Sequence, residues 1–102
     1  MKRKVIFAPE AQDDLLSLYA YISEQSGPST AVGYISRIER YCLGFDLAGE
    51  RGTRRDDIRN GLRIVGFERR VTIAFHVDAD TVTIDRVFYA GRDVYRLLRR
   101  DD

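Results

Sequence analysis

Two apolar runs at helical spacing, separated by Gly27-Pro28, constrain the fold of this chain more than any other feature. In the first, Ala11, Leu15, Leu18 and Ile22 recur at intervals of four and three, behind a Pro9-Glu10 start that suits a first helical turn. In the second, Ala31, Ile35, Ile38, Cys42 and Phe45 recur at intervals of 4, 3, 4 and 3. Proline at the first position and Ser26 or Gly27 as cap start the second helix where the first one stops. So short a turn predicts an antiparallel helical hairpin. Leu16, Tyr19 and Tyr21 widen the first apolar face, and Tyr34 and Tyr41 flank the second. Asp13, Asp14, Ser17 and Glu24 are expected on the wet side. Cys42 lies on the core stripe and reads as a small buried hydrophobe.

The remainder carries the β pattern. Lys4 to Ala8 is a short extended run. Leu62 to Phe67, Val71 to Val77 and Thr81 to Tyr89 are three strand-like runs joined by Glu68-Arg69-Arg70 and Asp78-Ala79-Asp80. Strands joined by such short turns form an antiparallel meander. Residues 44–60 carry several glycines and charges and read as a surface loop. Asp93 can cap a short closing helix over 94–100. The expected class is α+β in the order β-α-α-β-β-β-α. The helical hairpin packs on a small, mostly antiparallel sheet, with the first strand at an edge and a short C-terminal helix.

At 102 residues the chain is expected to form one domain, 1–102, burying roughly 60–65% of its unfolded surface. No apolar run approaches the ~20 residues that cross a bilayer. The apolar run near Met1 is too short for a signal peptide. One cysteine and one histidine exclude an internal disulfide and leave a zinc site without ligands. Cytoplasmic location is the default expectation, with no membrane partner. Residues 1–50 hold five basic and seven acidic side chains, and residues 51–102 hold twelve and nine. Fifteen of the seventeen basic residues are arginines, the type that forks onto carboxylate and phosphate and serves at interfaces. The acidic residues cancel any long-range field, which argues against strong nonspecific DNA binding.

Phosphate loops and nucleophile elbows are absent from the sequence. His76 lies mid-strand and reads as a packing residue. The pairs Asp13-Asp14, Asp56-Asp57 and Asp78/Asp80 fall on a wet helix face or in turns, where aspartate is expected anyway. No cofactor or metal ligand set is expected. What remains is Arg63, Arg69, Arg70, Arg86, Tyr89 and Arg92. Arg86 interrupts an otherwise apolar strand and must reach a partner, because an unpaired buried charge costs several kcal/mol. Its neighbour Asp85 points to the other face. Arginines and a tyrosine can stabilise and relay charge in RNA cleavage. The same types form protein-binding faces, and composition does not separate the two.

In order along the chain, several short motifs resemble the RelE/ParE toxin superfamily. They are Ala8-Pro9-x-Ala11 with Asp14-Leu15-x-x-Leu18-x-x-Tyr21, Ala31-x-x-Tyr34-Ile35-x-x-Ile38, Leu62-Arg63, and Arg86-Val87-x-Tyr89-x-Gly91-Arg92-Asp93. The resemblance spans nearly the whole chain. It implies a small toxin of a type II toxin-antitoxin system, neutralised by an antitoxin that wraps it. RelE-like members cut messenger RNA on the ribosome with basic residues on the sheet, and ParE-like members poison DNA gyrase. In an ungapped comparison Arg63 falls where RelE-like enzymes keep a basic residue. Their arginine on the next strand falls at Thr72, and the one after the third strand at Ala90. Loss of one such donor costs about 100-fold or more in rate. Asp85 and Gly49-x-x-Gly52 also depart from the family pattern.

The resemblance therefore implies a ParE-like binding protein without catalysis of its own, directed at DNA gyrase and held by a ParD-like antitoxin. DNA is reached through the antitoxin rather than through this chain. Candidate target-binding residues are Tyr89, Arg92, Arg69 and Arg70. Candidate antitoxin-binding residues, beside the core stripes, are Leu16, Tyr19, Tyr34 and Tyr41. The alternative is a ribosome-dependent endonuclease with Arg63, Arg86, Tyr89 and Arg92 as its site.

Overall fold

A computed structural model describes residues 2–89. The predicted closing helix over 94–100 lies outside them. Strand β1 (Lys4–Phe7) leads into helix α1 (Pro9–Ser26) and helix α2 (Pro28–Leu43), and a 3₁₀ turn (Gly44–Asp46) follows. Then come β2 (Thr53–Arg54), β3 (Arg63–Phe67), β4 (Val71–Val77) and β5 (Thr81–Tyr89). The sheet order is β1-β5-β4-β3-β2, so the meander is antiparallel and β1 adds in parallel to β5 at the edge. Two-residue β2, inside the stretch read as loop, extends the opposite edge.

The hairpin forms where the punctuation placed it. Gly27 ends α1 and begins α2 at φ 93°, a conformation that glycine takes without steric cost, and its N–H donates to the Ser23 carbonyl at 2.9 Å. Ala11, Leu15, Leu18 and Ile22 of α1 and Ala31, Ile38 and Cys42 of α2 are buried against one face of the sheet. The sheet answers with Val71, Ile73, Phe75, Val82, Ile84 and Val87, and Phe45 closes the end of this core. The opposite face is covered too. Ile58 and Leu62, from the stretch after β2, pack on Ala74 and Phe88 in a second, smaller cluster.

A bulge in β5 reconciles the two cores. Arg86 pairs with Ala74, but the next partners are Ile84 and Phe75, so Asp85 is an extra residue in the ladder. Before it, Val82 and Ile84 face the helices; after it, Val87 faces them, with Tyr89 packed alongside. Phe88 thereby turns to the second cluster. Among the described residues no helix is long and apolar enough to cross a membrane.

Candidate functional site

Strand β1 covers only Thr81 to Ile84 of β5. Beyond that point the β1 side of β5 has no strand among the described residues, and a side chain takes over. Asp14 of α1 accepts the Val87 N–H at 2.8 Å and holds Arg86 in a two-point contact, Nε to Oδ2 at 2.8 Å and Nη2 to Oδ1 at 3.1 Å. The two side chains are only 17% and 11% exposed. Asp14 is thus not on the wet side of its helix, and it is the partner that the strand arginine required. The Arg86 guanidinium also lies 4.8 Å from the Phe88 ring centre. Asp14, Ser17, Leu18, Tyr21, Arg86, Val87 and Tyr89 line a groove of about 550 Å³ beside this pair.

The far end of β5 carries an aromatic cluster. Tyr89 meets Tyr21 at 5.8 Å between ring centres with the planes tilted by 56°, and meets Tyr34 edge-on at 6.1 Å. The Tyr34 hydroxyl is buried without a hydrogen-bond partner among the described residues. Burial first, then Tyr89 and Glu68, push its pKa up, so it stays protonated. Tyr89 pairs across the ladder with Val71, which places the β3–β4 turn next to the cluster. In that turn Glu68 and Arg69 both have positive φ, 49° and 66°. Arg37 of α2 grips Glu68 from Nε at 3.0 Å and Nη2 at 3.1 Å while lying 5.0 Å over the Tyr34 ring. The hydrogen bond from Arg37 holds the Glu68 carboxyl below its ordinary range. Arg69 and Arg70 stand exposed, without an ion-pair partner among the described residues.

Of the predicted target-binding residues, Tyr89, Arg69 and Arg70 come together at this end, and Arg92 lies outside the described residues. Of the nuclease set, Arg63 is elsewhere. It pairs with Phe75, four residues along β4 from the partner of Tyr89, or roughly 13 Å. Its Nη1 donates to the carbonyls of Glu50 and Arg51 at 3.2 and 3.3 Å. Thr72 sits opposite Phe88, and Ala90 is outside the described residues.

His76 does more than pack. Its Nδ1 is 2.8 Å from Asp85 Oδ2, and its Nε2 is 3.7 Å from Asp78. Burial raises the Asp85 pKa, and the bond to His76 opposes that rise. Among the described residues no hydroxyl or thiol hydrogen-bonds to His76. Cys42 is fully buried, with its thiol pushed up to about 12 by burial first and Glu39 second. Among the described residues no three His, Cys, Asp or Glu side chains gather to hold a metal ion.

A second concavity of about 710 Å³ runs between β1 and the helices, lined chiefly by Val5, Ile6, Phe7, Leu15, Leu16 and Tyr19. Leu16 is 69% exposed, and Ile6 and Tyr19 are also exposed. Of the predicted antitoxin-binding residues, Leu16 and Tyr19 line this groove. Tyr34 lies in the tyrosine cluster, and Tyr41 packs half-buried on Phe45 and Phe67. Sequence reasoning missed Ile6, whose alternation in a four-residue strand is too short to read. It also missed the Arg37–Glu68 contact, which joins residues 31 apart.

The family model described as the ParE toxin of the type II toxin-antitoxin system, parDE, matches residues 5–94. Among solved structures the chain is similar to one from the chromosomal ParDE TA system of P. aeruginosa, with 20% identity and a TM-score of 0.77 over 88% of this chain and 98% of that one. It is also similar to a chain of the toxin-antitoxin complex RelBE2 from Mycobacterium tuberculosis, with 19% identity and a TM-score of 0.56 over 87% and 99%. At these identities both likenesses speak to the fold. Curated protein sequences give no match.

Proposed function

The chain belongs to the ParE toxin family of type II toxin-antitoxin systems, and on that footing we propose that it inhibits DNA gyrase by binding, as a single cytoplasmic domain held inactive by a ParD-like antitoxin. One observation carries the binding reading. Of the arginines that a sheet-borne nuclease would turn toward RNA, the two described ones are engaged within the protein, Arg63 on two loop carbonyls and Arg86 on Asp14. Two exposed arginines, Arg69 and Arg70, adjoin the Tyr89 cluster through the pairing of Val71 with Tyr89. Tyrosine and arginine are the types that carry protein–protein hot spots. Gyrase as target is what the resemblance to the ParE-like branch implies.

For the antitoxin, the groove beside β1 is the natural seat. It combines exposed Leu16, Tyr19 and Ile6 with a strand whose outer edge is unpaired among the described residues. An amphipathic segment that folds on binding can bury those side chains and extend the sheet. That both solved neighbours come from toxin-antitoxin systems supports such a partner.

The test is supercoiling by reconstituted gyrase with the purified chain. Inhibition, or an accumulated cleavage complex, is expected at micromolar protein. Neither appearing removes gyrase from the reading, and codon-phased cuts in translated message would put the endonuclease in its place. Leu16→Glu is expected to weaken the antitoxin complex, measured by titration calorimetry, and to leave gyrase inhibition unchanged.

A further inference from the structure

Resting on the target-face reading of Tyr89, Arg69 and Arg70, we infer that Arg37 and Glu68 form a clamp. It fixes the β3–β4 turn in a strained shape and presents the two arginines to carboxylates on a protein surface. Two successive residues other than glycine take left-handed backbone here, Glu68 at φ 49° and Arg69 at φ 66°. Each carries a steric cost that glycine would not. Such strain persists only where the surroundings over-determine it, and it concentrates at functional positions.

What over-determines it is visible. Arg37 holds both oxygens of Glu68, at 3.0 and 3.1 Å, and is itself laid on Tyr34, which abuts Tyr89. The two charged side chains are 48% and 39% exposed, so this is a surface pair, of the kind that adds little to stability. It adds a second hold on a turn that the pairing of Phe67 with Val71 already closes. With Glu68 held by Arg37, Arg69 and Arg70 are exposed and have no ion-pair partner among the described residues.

The chemistry favours a protein over a nucleic acid. Two arginine forks beside three tyrosines are the make-up of an interface anchor. A chain of net charge +1 lacks the basic field that phosphate backbones draw on.

The experiment titrates growth arrest against inducer, with the melting temperature of each purified variant measured alongside. Arg69→Ala and Arg70→Ala remove contacts. Arg37→Ala opens the clamp, and Glu68→Gly opens it while making φ 49° easy. The swap Arg37→Glu with Glu68→Arg rebuilds it in reverse. The clamp predicts a potency loss of about 10-fold in Arg37→Ala and Glu68→Gly, the size of one lost anchor. Glu68→Gly melts no lower than the parent, and the swap recovers potency.

Parental potency in Arg37→Ala and Glu68→Gly, with loss in Arg69→Ala or Arg70→Ala, overturns the clamp and keeps the face. Parental potency in all four, or a parent that arrests nothing, overturns the face and the clamp with it. Binding to a duplex oligonucleotide that Arg69→Ala abolishes overturns the protein partner.

Discussion

Replacing Asp14 by alanine tests the central contact of the fold. The carboxylate accepts from Arg86 twice and from the Val87 amide once, at 2.8 to 3.1 Å. Breaking a buried ion pair from one side costs about 3–5 kcal/mol, and an orphaned amide about 1–3 kcal/mol. The two overlap here. Arg86 keeps another interaction, and the groove of about 550 Å³ lets water reach the gap. A total of about 3 kcal/mol follows, which in a domain near this size lowers the melting temperature by on the order of 10–20 °C. Asp14→Asn keeps an oxygen for Val87 and costs about half as much. The double variant Asp14→Asn with Arg86→Met removes both charges and keeps an oxygen for the Val87 N–H, and its expected loss is within about 1 kcal/mol of the parent. Thermal and urea melts by circular dichroism measure all of these. A loss under about 1 kcal/mol in Asp14→Ala, or a double variant no better than the single, refutes the reasoning. If the double variant keeps its toxicity, Arg86 is not a reacting group.

Four further outcomes are expected. Tyr34→Phe removes a buried hydroxyl that has no partner among the described residues, so it leaves the melting temperature unchanged or raises stability by about 1 kcal/mol. Gly52 has φ 79°, and a Cβ there would lie 2.5 Å from the Ile64 carbonyl oxygen; Gly52→Ala is expected to cost more than about 1 kcal/mol in a urea melt. Burial raises the Asp85 pKa, so this group's contribution is present below its unfolded pKa and is lost as pH rises through the folded one. Asp85→Asn lacks that loss, and its stability relative to the parent is expected to rise from about pH 3 to about pH 7 in melts across that range. Cys42, with its thiol pushed up to about 12, reacts with a disulfide reagent only as fast as the protein opens, which added denaturant should reveal.

The hairpin and the meander were legible because each rests on local periodicity. The strand limits at Val71–Val77 and Thr81–Tyr89 follow from alternation and turn residues alone. Arg86 also announced that it needed a partner. Which partner was not legible, because Asp14 is 72 residues away and its place in α1 predicts solvent. A four-residue β1, with no strand beyond it among the described residues, turns that position into a half-buried one. The loop that covers the second face was obscured for a similar reason. Ile58 is isolated among glycines, arginines and aspartates, Leu62 reads as the start of the next strand, and only the finished sheet offers them Ala74 and Phe88. As for the candidate site, Arg69, Arg70 and Tyr89 could be named one by one. Their proximity depends on the pairing of Val71 with Tyr89, which no local pattern encodes.

The extra residue in β5 acts as a phase slip. Upstream of Asp85 the even-numbered side chains belong to the helical core, and downstream the odd-numbered ones do. A chain one residue shorter here would keep nearly the same composition and hydropathy. It would return the strand to plain alternation, with Val87 and Tyr89 still toward the helices and Phe88 still toward the second cluster, because the extra residue and the slip cancel. Forcing Asp85 into regular pairing would instead send Phe88 toward the helices and Tyr89 away from Tyr21 and Tyr34. Substitution of Asp85 adjusts a bond to His76, and its deletion forfeits that bond while keeping both cores and the tyrosine face.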